Sequence, residues 1–145
     1  MTSSREYPLR PVIGVGVVVW HGDRVLLVRR GQPPRQGQWS LPGGAQELGE
    51  TVAAAARREV LEETGLAVEI GEVVAAVDMI ERDGDRVRYH YTLIDFSAEA
   101  LGPELRPGGD AAEAHWFTLD EVEQLGLWSE TVRIIGLARE RRSCR

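Results

Sequence analysis

The hydrophobic and polar positions along the chain predict short strands around one central helix. Two runs rich in β-branched residues flank a turn of His, Gly and Asp, which predicts an antiparallel hairpin. The pattern then changes to that of a helix, since Thr51 is a favourable N-cap and Gly65 a favourable C-terminal stop. The predicted strands are residues 13–20, 24–30, 66–77, 86–97 and 115–118, and the predicted helices are residues 51–64, 120–125 and 129–142.

Strands precede and follow the helices, so the predicted fold class is α/β with a mixed β-sheet. Glycine and proline residues mark residues 31–49 and 104–114 as loops. A chain of 145 residues has the size of one domain. We assign residues 1–11 to a loose N-terminal tail and residues 12–142 to a single domain. Apolar surface on the N-terminal hairpin could support a homodimer.

Composition removes several classes of partner. The longest apolar runs are far shorter than the ~20 residues of a membrane span, so no membrane partner is expected. The net charge is −6, with 23 acidic and 17 basic residues, which argues against binding of a nucleic acid polymer. Cys144 is the only cysteine, so neither an intrachain disulfide nor a cysteine-based metal site can form. The first residues lack the apolar core of a signal peptide, and we expect a cytoplasmic protein that acts on a small molecule.

The segment of residues 44–66, GAQELGETVAAAARREVLEETGL, holds the candidate chemistry. On a helix, Glu59, Glu62 and Glu63 fall within an arc of roughly 100°, because spacings of three and four residues return to one face. An adjoining apolar stripe can dock the helix on the sheet, and it consists of Val52, Ala56 and Val60. Three carboxylates are therefore expected to crowd beside the line along which the helix is anchored.

Crowded carboxylates of this kind favour a bound cation. Like charges at this spacing destabilise an isolated helix, whereas hard oxygen ligands suit Mg²⁺ or Mn²⁺. Arg58 precedes Glu62 by four residues and can hold it in one rotamer. Gly43 and Gly44 precede the helix, and without a Cβ their backbone can approach a metal or a phosphate closely. A solvated acidic surface is the alternative, and the glycine-rich loop leading into the helix weighs against it.

The same segment resembles the Nudix box, G-x5-E-x7-R-E-U-x-E-E-x-G-U, in which U is aliphatic. All nine fixed positions are filled, by Gly44, Glu50, Arg58, Glu59, Val60, Glu62, Glu63, Gly65 and Leu66. Flanking segments extend the resemblance over roughly residues 12–138. The resemblance implies a Nudix hydrolase with an α/β/α sandwich. Such an enzyme uses a divalent metal to cleave a nucleoside diphosphate linked to another moiety.

The resemblance also implies roles for individual residues. The implied metal ligands are Glu59, Glu62, Glu63 and the backbone carbonyl of Gly43. Arg58 would orient the glutamates, and Glu50 would help to fix the loop that precedes the helix. The general base would be Glu59 or an acid on a later loop, of which Glu113 is the first candidate and Asp110 and Glu104 are weaker ones. An exposed loop acid without a catalytic role is the alternative for Glu113.

Two residues outside the box are candidate substrate contacts. Arg30 ends a strand beside the glycine-rich loop and can meet a phosphate, and a solvated strand edge is the alternative. Trp39 can stack on a base or ribose, or it can pack in the core. The preferred hypothesis is an enzyme that acts on ADP-ribose or a similar compound. A MutT-like nucleoside triphosphate pyrophosphohydrolase is the second hypothesis. A nucleotide-sensing module without catalysis is the third, and the complete glutamate set argues against it.

Overall fold

Seven strands form a mixed β-sheet between three helices in the computed structural model, which describes residues 5–33 and 35–143. The strands are β1 (Val12–His21), β2 (Arg24–Arg30), β3 (Trp39–Ser40), β4 (Gly43–Ala45), β5 (Val68–Asp83), β6 (Arg86–Ala100) and β7 (Ala111–Phe117). The helices are α1 (Val52–Thr64), α2 (Leu119–Gln124) and α3 (Ser129–Ser143). Strand β1 is antiparallel to β2 and β4 and parallel to β6, so the predicted mixed sheet is confirmed.

The helices cover opposite faces of the sheet, and strand alternation divides the core between them. One face, the α1 face, buries Val15, Val17 and Val19 against helix α1. The other face, the α3 face, buries Val18 and Trp20 against helices α2 and α3. Each face has its own hydrophobic cluster, so the predicted sandwich of helix, sheet and helix is confirmed.

Three strand predictions differ from the structure in their bounds. The β5–β6 hairpin is longer than predicted and turns at Gly84, because polar residues continue the antiparallel pairing beyond the core. Strand β7 begins at residue 111 rather than 115, since it pairs with the whole length of β2. The predicted loop over residues 31–49 contains β3 and β4, and β4 is held by pairing of its glycine backbone with β1.

The N-terminal hairpin and tail also differ from expectation. The hairpin residues Val17 and Val25 are fully buried, so most of the apolar surface that suggested a homodimer belongs to the core, whereas Ile13 on β1 is 38% exposed. The predicted loose tail is attached to the β5–β6 hairpin, since the backbone N–H of Tyr7 donates to the carbonyl of Arg88 at 2.7 Å. Residues 1–4 and Cys144 lie outside the described residues. No helix within the described ranges is long and apolar enough to cross a membrane.

Candidate active site

Helix α1 carries the predicted carboxylates and is fixed at both ends. The Thr51 side chain accepts a hydrogen bond from the backbone N–H of Ala54 at 3.0 Å, which caps the N-terminus. Gly65 ends the helix with a φ of 75°, a left-handed conformation that costs glycine little. The predicted apolar stripe packs on the sheet through Val52, Ala56 and Val60. The carboxylates therefore hold defined positions relative to the sheet.

Arg58 connects three of the predicted acidic residues. Its Nε and Nη2 donate to the two carboxylate oxygens of Glu50 at 2.7 and 3.0 Å. Its Nη1 donates to Glu59 Oε1 at 2.8 Å and to Glu62 Oε2 at 3.3 Å. The hydrogen bonds from Arg58 hold the pKa of Glu50 down at about 2. Nη2 also donates to the carbonyl of Ala45 at 3.0 Å, so one guanidinium joins strand β4 to the carboxylates of α1.

Glu63 lies beneath the glycine-rich segment. It is 7% exposed, and its Oε1 accepts a hydrogen bond from the backbone N–H of Gly43 at 2.7 Å. Burial raises the pKa of Glu63 to about 8, and the charges of Glu59 and Asp110 act in the same direction. Burial also raises the pKa of Glu59, against the opposing effect of Arg58. Two neighbouring carboxyls of the cluster therefore resist ionisation together.

Glycine is required at both positions before the helix. A Cβ on Gly44 would lie 2.5 Å from Glu59 Cδ and 2.6 Å from each of its oxygens. A Cβ on Gly43 would collide with the carbonyl oxygen of Val15 on the neighbouring strand. The absence of side chains brings the backbone of β4 into direct contact with the carboxylates.

The donor set fits a divalent cation by its chemistry. Glu59, Glu62 and Glu63 offer hard carboxylate oxygens, and the side chain of Glu62 is 53% exposed to solvent. In residues 5–33 and 35–143, no three Asp, Glu, His or Cys side chains already converge on a point that could hold an ion. In this structure Glu59 is bound by Arg58, and Glu63 by the N–H of Gly43. A cation would favour the ionised form of carboxyls whose pKa burial has raised.

The loop between β6 and β7 closes the C-terminal end of α1. The backbone N–H of Arg106 donates to the carbonyl of Thr64 at 2.7 Å, and that of Gly108 to the carbonyl of Glu63 at 3.1 Å. These bonds satisfy carbonyls that a helix end leaves without partners. The loop also brings Asp110 near the cluster, since its charge raises the pKa of both Glu59 and Glu63. From the sequence, Asp110 ranks below Glu113 as a candidate general base.

Glu113 lies elsewhere. It stands opposite Arg29 in the β2–β7 pairing, and Arg29 Nη1 donates to its Oε2 at 2.8 Å. Its Oε1 lies 3.3 Å from His115 Nε2, and the hydrogen bond from Arg29 lowers the pKa of Glu113. Phe117, on the same side of β7, packs on the α3 face. The structure therefore does not bring Glu113 to the carboxylates of α1. Glu104, the other weaker candidate, is exposed in the preceding loop.

The two candidate substrate contacts lie on different faces of the sheet. The charge of Arg30 lowers the pKa of Glu63, which places this guanidinium on the side of the carboxylate cluster. Trp39 is half-buried on the α3 face, with its ring centroid 5.7 Å from that of His115 and 5.1 Å from that of Phe117. Sequence reasoning missed a further acid on the α3 face, Asp95. Its only signal was an aspartate within an otherwise apolar stretch of strand.

Comparison with known proteins gives consistent results. The NUDIX domain model matches residues 10–135. The chain is 35% identical over 124 residues to the ADP-ribose pyrophosphatase of Methanocaldococcus jannaschii. The aligned region covers 86% of this chain and 72% of that protein. It is 34% identical over 117 residues to a MutT-like protein of Streptomyces ambofaciens, covering 81% and 70% of the two chains. The crystal structure of a MutT NUDIX hydrolase from Burkholderia pseudomallei shares 30% identity with a TM-score of 0.76, over 88% of this chain and 98% of that one.

These matches extend well beyond the glutamate helix. The family model spans the N-terminal hairpin and the first seven residues of α3, and the structural likeness covers the same sandwich of helix, sheet and helix. The family expected from the filled Nudix box is confirmed. The chain belongs to the Nudix family of pyrophosphohydrolases.

Proposed function

We propose that this chain hydrolyses the diphosphate linkage of ADP-ribose or a similar nucleoside diphosphate derivative, with Mg²⁺ as cofactor and Mn²⁺ as a substitute. The observation that carries the proposal is the complete carboxylate set of α1, packed against the backbone of Gly43 and Gly44. The residues that would hold the metal are Glu59, Glu62, Glu63 and Gly43, the last through its carbonyl. A bound Mg²⁺ would offset the charge of the diphosphate and lower the pKa of an attacking water.

The residues around the carboxylates divide the remaining tasks. Arg58 holds Glu59 and Glu62 in place and neutralises part of their charge. Glu50 fixes Arg58 in turn, through two hydrogen bonds to one guanidinium. Arg30 is proposed to meet a phosphate of the substrate, and the effect of its charge on the pKa of Glu63 supports this role. Arg58 and Glu50 are therefore positioning residues, which do not themselves contact the reacting atoms.

The general base is proposed to be Glu59 or Asp110. Glu59 belongs to the carboxylate cluster, and the charge of Asp110 acts on both Glu59 and Glu63. Asp110 follows the loop that closes the end of α1. Glu113, the first candidate from the sequence, has its carboxylate engaged by Arg29 on the other face. The structure offers no support for Glu113 as the base.

The substrate proposal rests on the relative from Methanocaldococcus jannaschii, whose name specifies ADP-ribose. The likeness to a MutT-like protein and to a MutT NUDIX hydrolase favours a second candidate, a nucleoside triphosphate pyrophosphohydrolase. Both reactions need the same carboxylates, so the residues outside the box decide between them. Cleavage of ADP-ribose, NADH, diadenosine polyphosphates, dihydroneopterin triphosphate and 8-oxo-dGTP, compared by kcat/KM with identified products, tests the choice. Cleavage of triphosphates alone would favour the second candidate.

The catalytic role of the cluster is tested by Glu63→Gln. The change keeps the size of the side chain and removes one carboxylate, so turnover in Mg²⁺ should fall at least about 1000-fold, as expected when metal-centred charge stabilisation is lost. Glu69→Gln is the matched control, because Glu69 is exposed on β5, and it should keep the wild-type rate. A Glu63→Gln enzyme with near wild-type kcat/KM and an unchanged circular dichroism spectrum would contradict the assignment.

We also propose a cytoplasmic location and a small-molecule nucleotide as partner. The location rests on the single cysteine, Cys144, which suits a reducing compartment. A homodimer stays a prediction, and Ile13 is the exposed apolar residue of the hairpin that supports it. Sedimentation of the purified chain measures the mass directly and decides between monomer and dimer.

A further inference from the structure

The turn between strand β4 and helix α1, residues 46–50, is bridged at its base by the side chain of Gln46. Its Nε2 donates to the backbone carbonyl of Glu50 at 2.6 Å. A carbonyl can only accept a hydrogen bond, so the contact requires the N–H donor of the amide. Gln46 is half-buried, whereas the residues between the two partners are exposed. The amide therefore links the two ends of a turn whose middle is open to solvent.

Each end of this bridge is attached to a fixed part of the fold. The backbone N–H of Gln46 donates to the carbonyl of Ile13 at 3.0 Å, which continues the β1–β4 pairing by one residue. Glu50 directly precedes Thr51, the N-cap of α1. The backbone N–H of Glu50 donates to the carbonyl of Glu47 at 3.1 Å, and its Oε1 accepts from the N–H of Glu47 at 3.0 Å. The Gln46 amide thus holds the start of the helix against the end of strand β4.

The bridge reaches the carboxylates of α1 through Glu50. Both carboxylate oxygens of Glu50 accept from Arg58, which also donates to Glu59 and Glu62. Glu50 and Arg58 thus connect Gln46 to two of the proposed metal ligands. A shift of the Glu50 backbone would carry its carboxylate away from the guanidinium that it fixes. Position 46 lies in the unspecified stretch between the first glycine and the first glutamate of the Nudix box, so the resemblance assigns it no role.

We propose that Gln46 is a positioning residue, whose side-chain amide fixes Glu50 and thereby keeps Arg58 aligned with the metal-binding carboxylates. The inference rests on the proposed function, in which those carboxylates hold a divalent cation. Groups that orient the ligands of a metal site change metal affinity or activity by roughly 10–100-fold when they are removed. Gln46 stands one contact further from the ligands than Arg58. The expected effect of its loss is therefore at the lower end of that range, about tenfold.

The test removes the hydrogen-bond donor and keeps the size of the side chain. Gln46→Met should raise the Kd for Mn²⁺, measured by isothermal titration calorimetry, about tenfold. At the Mg²⁺ concentration that half-saturates the wild type, kcat should fall several-fold, whereas the KM for the nucleotide should stay within a factor of about two. Gln46→Asn keeps the amide but shortens the side chain by one methylene, and it should show the same changes. Gln124→Met, at an exposed position on α2, is the matched control and should leave Kd and kcat unchanged.

A double-mutant cycle with Arg58→Lys determines whether Gln46 acts through Arg58. Gln46→Met should raise the Kd for Mn²⁺ about tenfold in the wild type but less than about twofold in Arg58→Lys, since the arrangement that it supports is already lost there. Equal effects in the two backgrounds would overturn the proposal. A Gln46→Met variant with a lower melting temperature but the wild-type Kd and kcat would overturn it too, because the bridge would then be purely structural.

The calorimetric measurement also separates this inference from the proposed function. A wild type that binds Mn²⁺ but cleaves no nucleotide would refute the proposed function alone, and the Kd of Gln46→Met would still decide the role of the amide. Absence of Mn²⁺ binding to the wild type would overturn both.

Discussion

Individual acidic residues in this protein differ widely in their tendency to ionise. Glu50 is fully paired with Arg58, and its pKa is lowered to about 2, whereas burial raises that of Glu63 to about 8. Glu50 belongs to the hydrogen-bonded group around Arg58, whereas Glu63 accepts from the backbone N–H of Gly43. Pairs of carboxyls with divergent pKa values are the usual means by which a site assigns different tasks to identical groups. Glu50 stays ionised and pairs with Arg58. Glu63 is suited to release its proton when a cation binds.

Asp95 makes a testable contribution to stability at the residue scale. Burial raises its pKa from the usual 3.8 to about 6, so ionisation is less favourable in the folded than in the unfolded chain. The penalty is absent below pH 3.8, grows as the pH rises towards 6, and is then constant at about 3 kcal/mol. Asp95→Asn, measured by urea denaturation without ligand, should therefore raise the unfolding free energy at pH 7.5 and much less at pH 4.5. An equal gain at both pH values would contradict the buried ionisation.

At the scale of elements, helix α1 and strand β4 act as one unit through Arg58. The planar guanidinium binds both oxygens of Glu50 and at the same time reaches Glu59 and the Ala45 carbonyl. Lysine is a point donor and cannot make these contacts together. Arg58→Lys should therefore lower kcat/KM by about 100-fold, the effect expected of a misplacement of about 1 Å.

The same experiment has a control on the same helix. Arg57 is exposed on α1, and Arg57→Lys should leave kcat/KM within a factor of two of the wild type. A helical circular dichroism spectrum for Arg58→Lys would show that α1 still forms, since its caps lie at Thr51 and Gly65. If Arg58→Lys retained the wild-type kcat/KM, the hydrogen bonds of the Arg58 guanidinium would have no positioning role.

The accuracy of the sequence predictions also varied by element. Helix α1 was predicted almost to the residue, because its cap, its stop and its periodicity are all local signals. Strand β4 was missed, since two of its three residues are glycines and it is held only by backbone pairing, which leaves no side-chain pattern. The position of the Glu113 carboxylate beside Arg29 could not be predicted for a comparable reason. The face on which a β7 residue lies depends on its register with β2, where the pairing shifts between Arg29 and Arg30.

At the scale of the whole molecule, the carboxylate cluster should couple metal binding to stability. The chain carries a net charge of −6, and burial and the charge of a neighbouring acid oppose the ionisation of both Glu59 and Glu63 within the cluster. A cation that binds only the folded chain stabilises it by about 2.7 kcal/mol at a hundredfold excess over Kd. For a chain of this size that corresponds to a rise in Tm of roughly 5–10 °C. Thermal unfolding with Mg²⁺ or Mn²⁺, against NaCl of equal ionic strength, measures the effect. Glu63→Gln should lose most of this rise and Glu69→Gln should keep it, whereas an equal rise in both variants would show that the ion binds elsewhere.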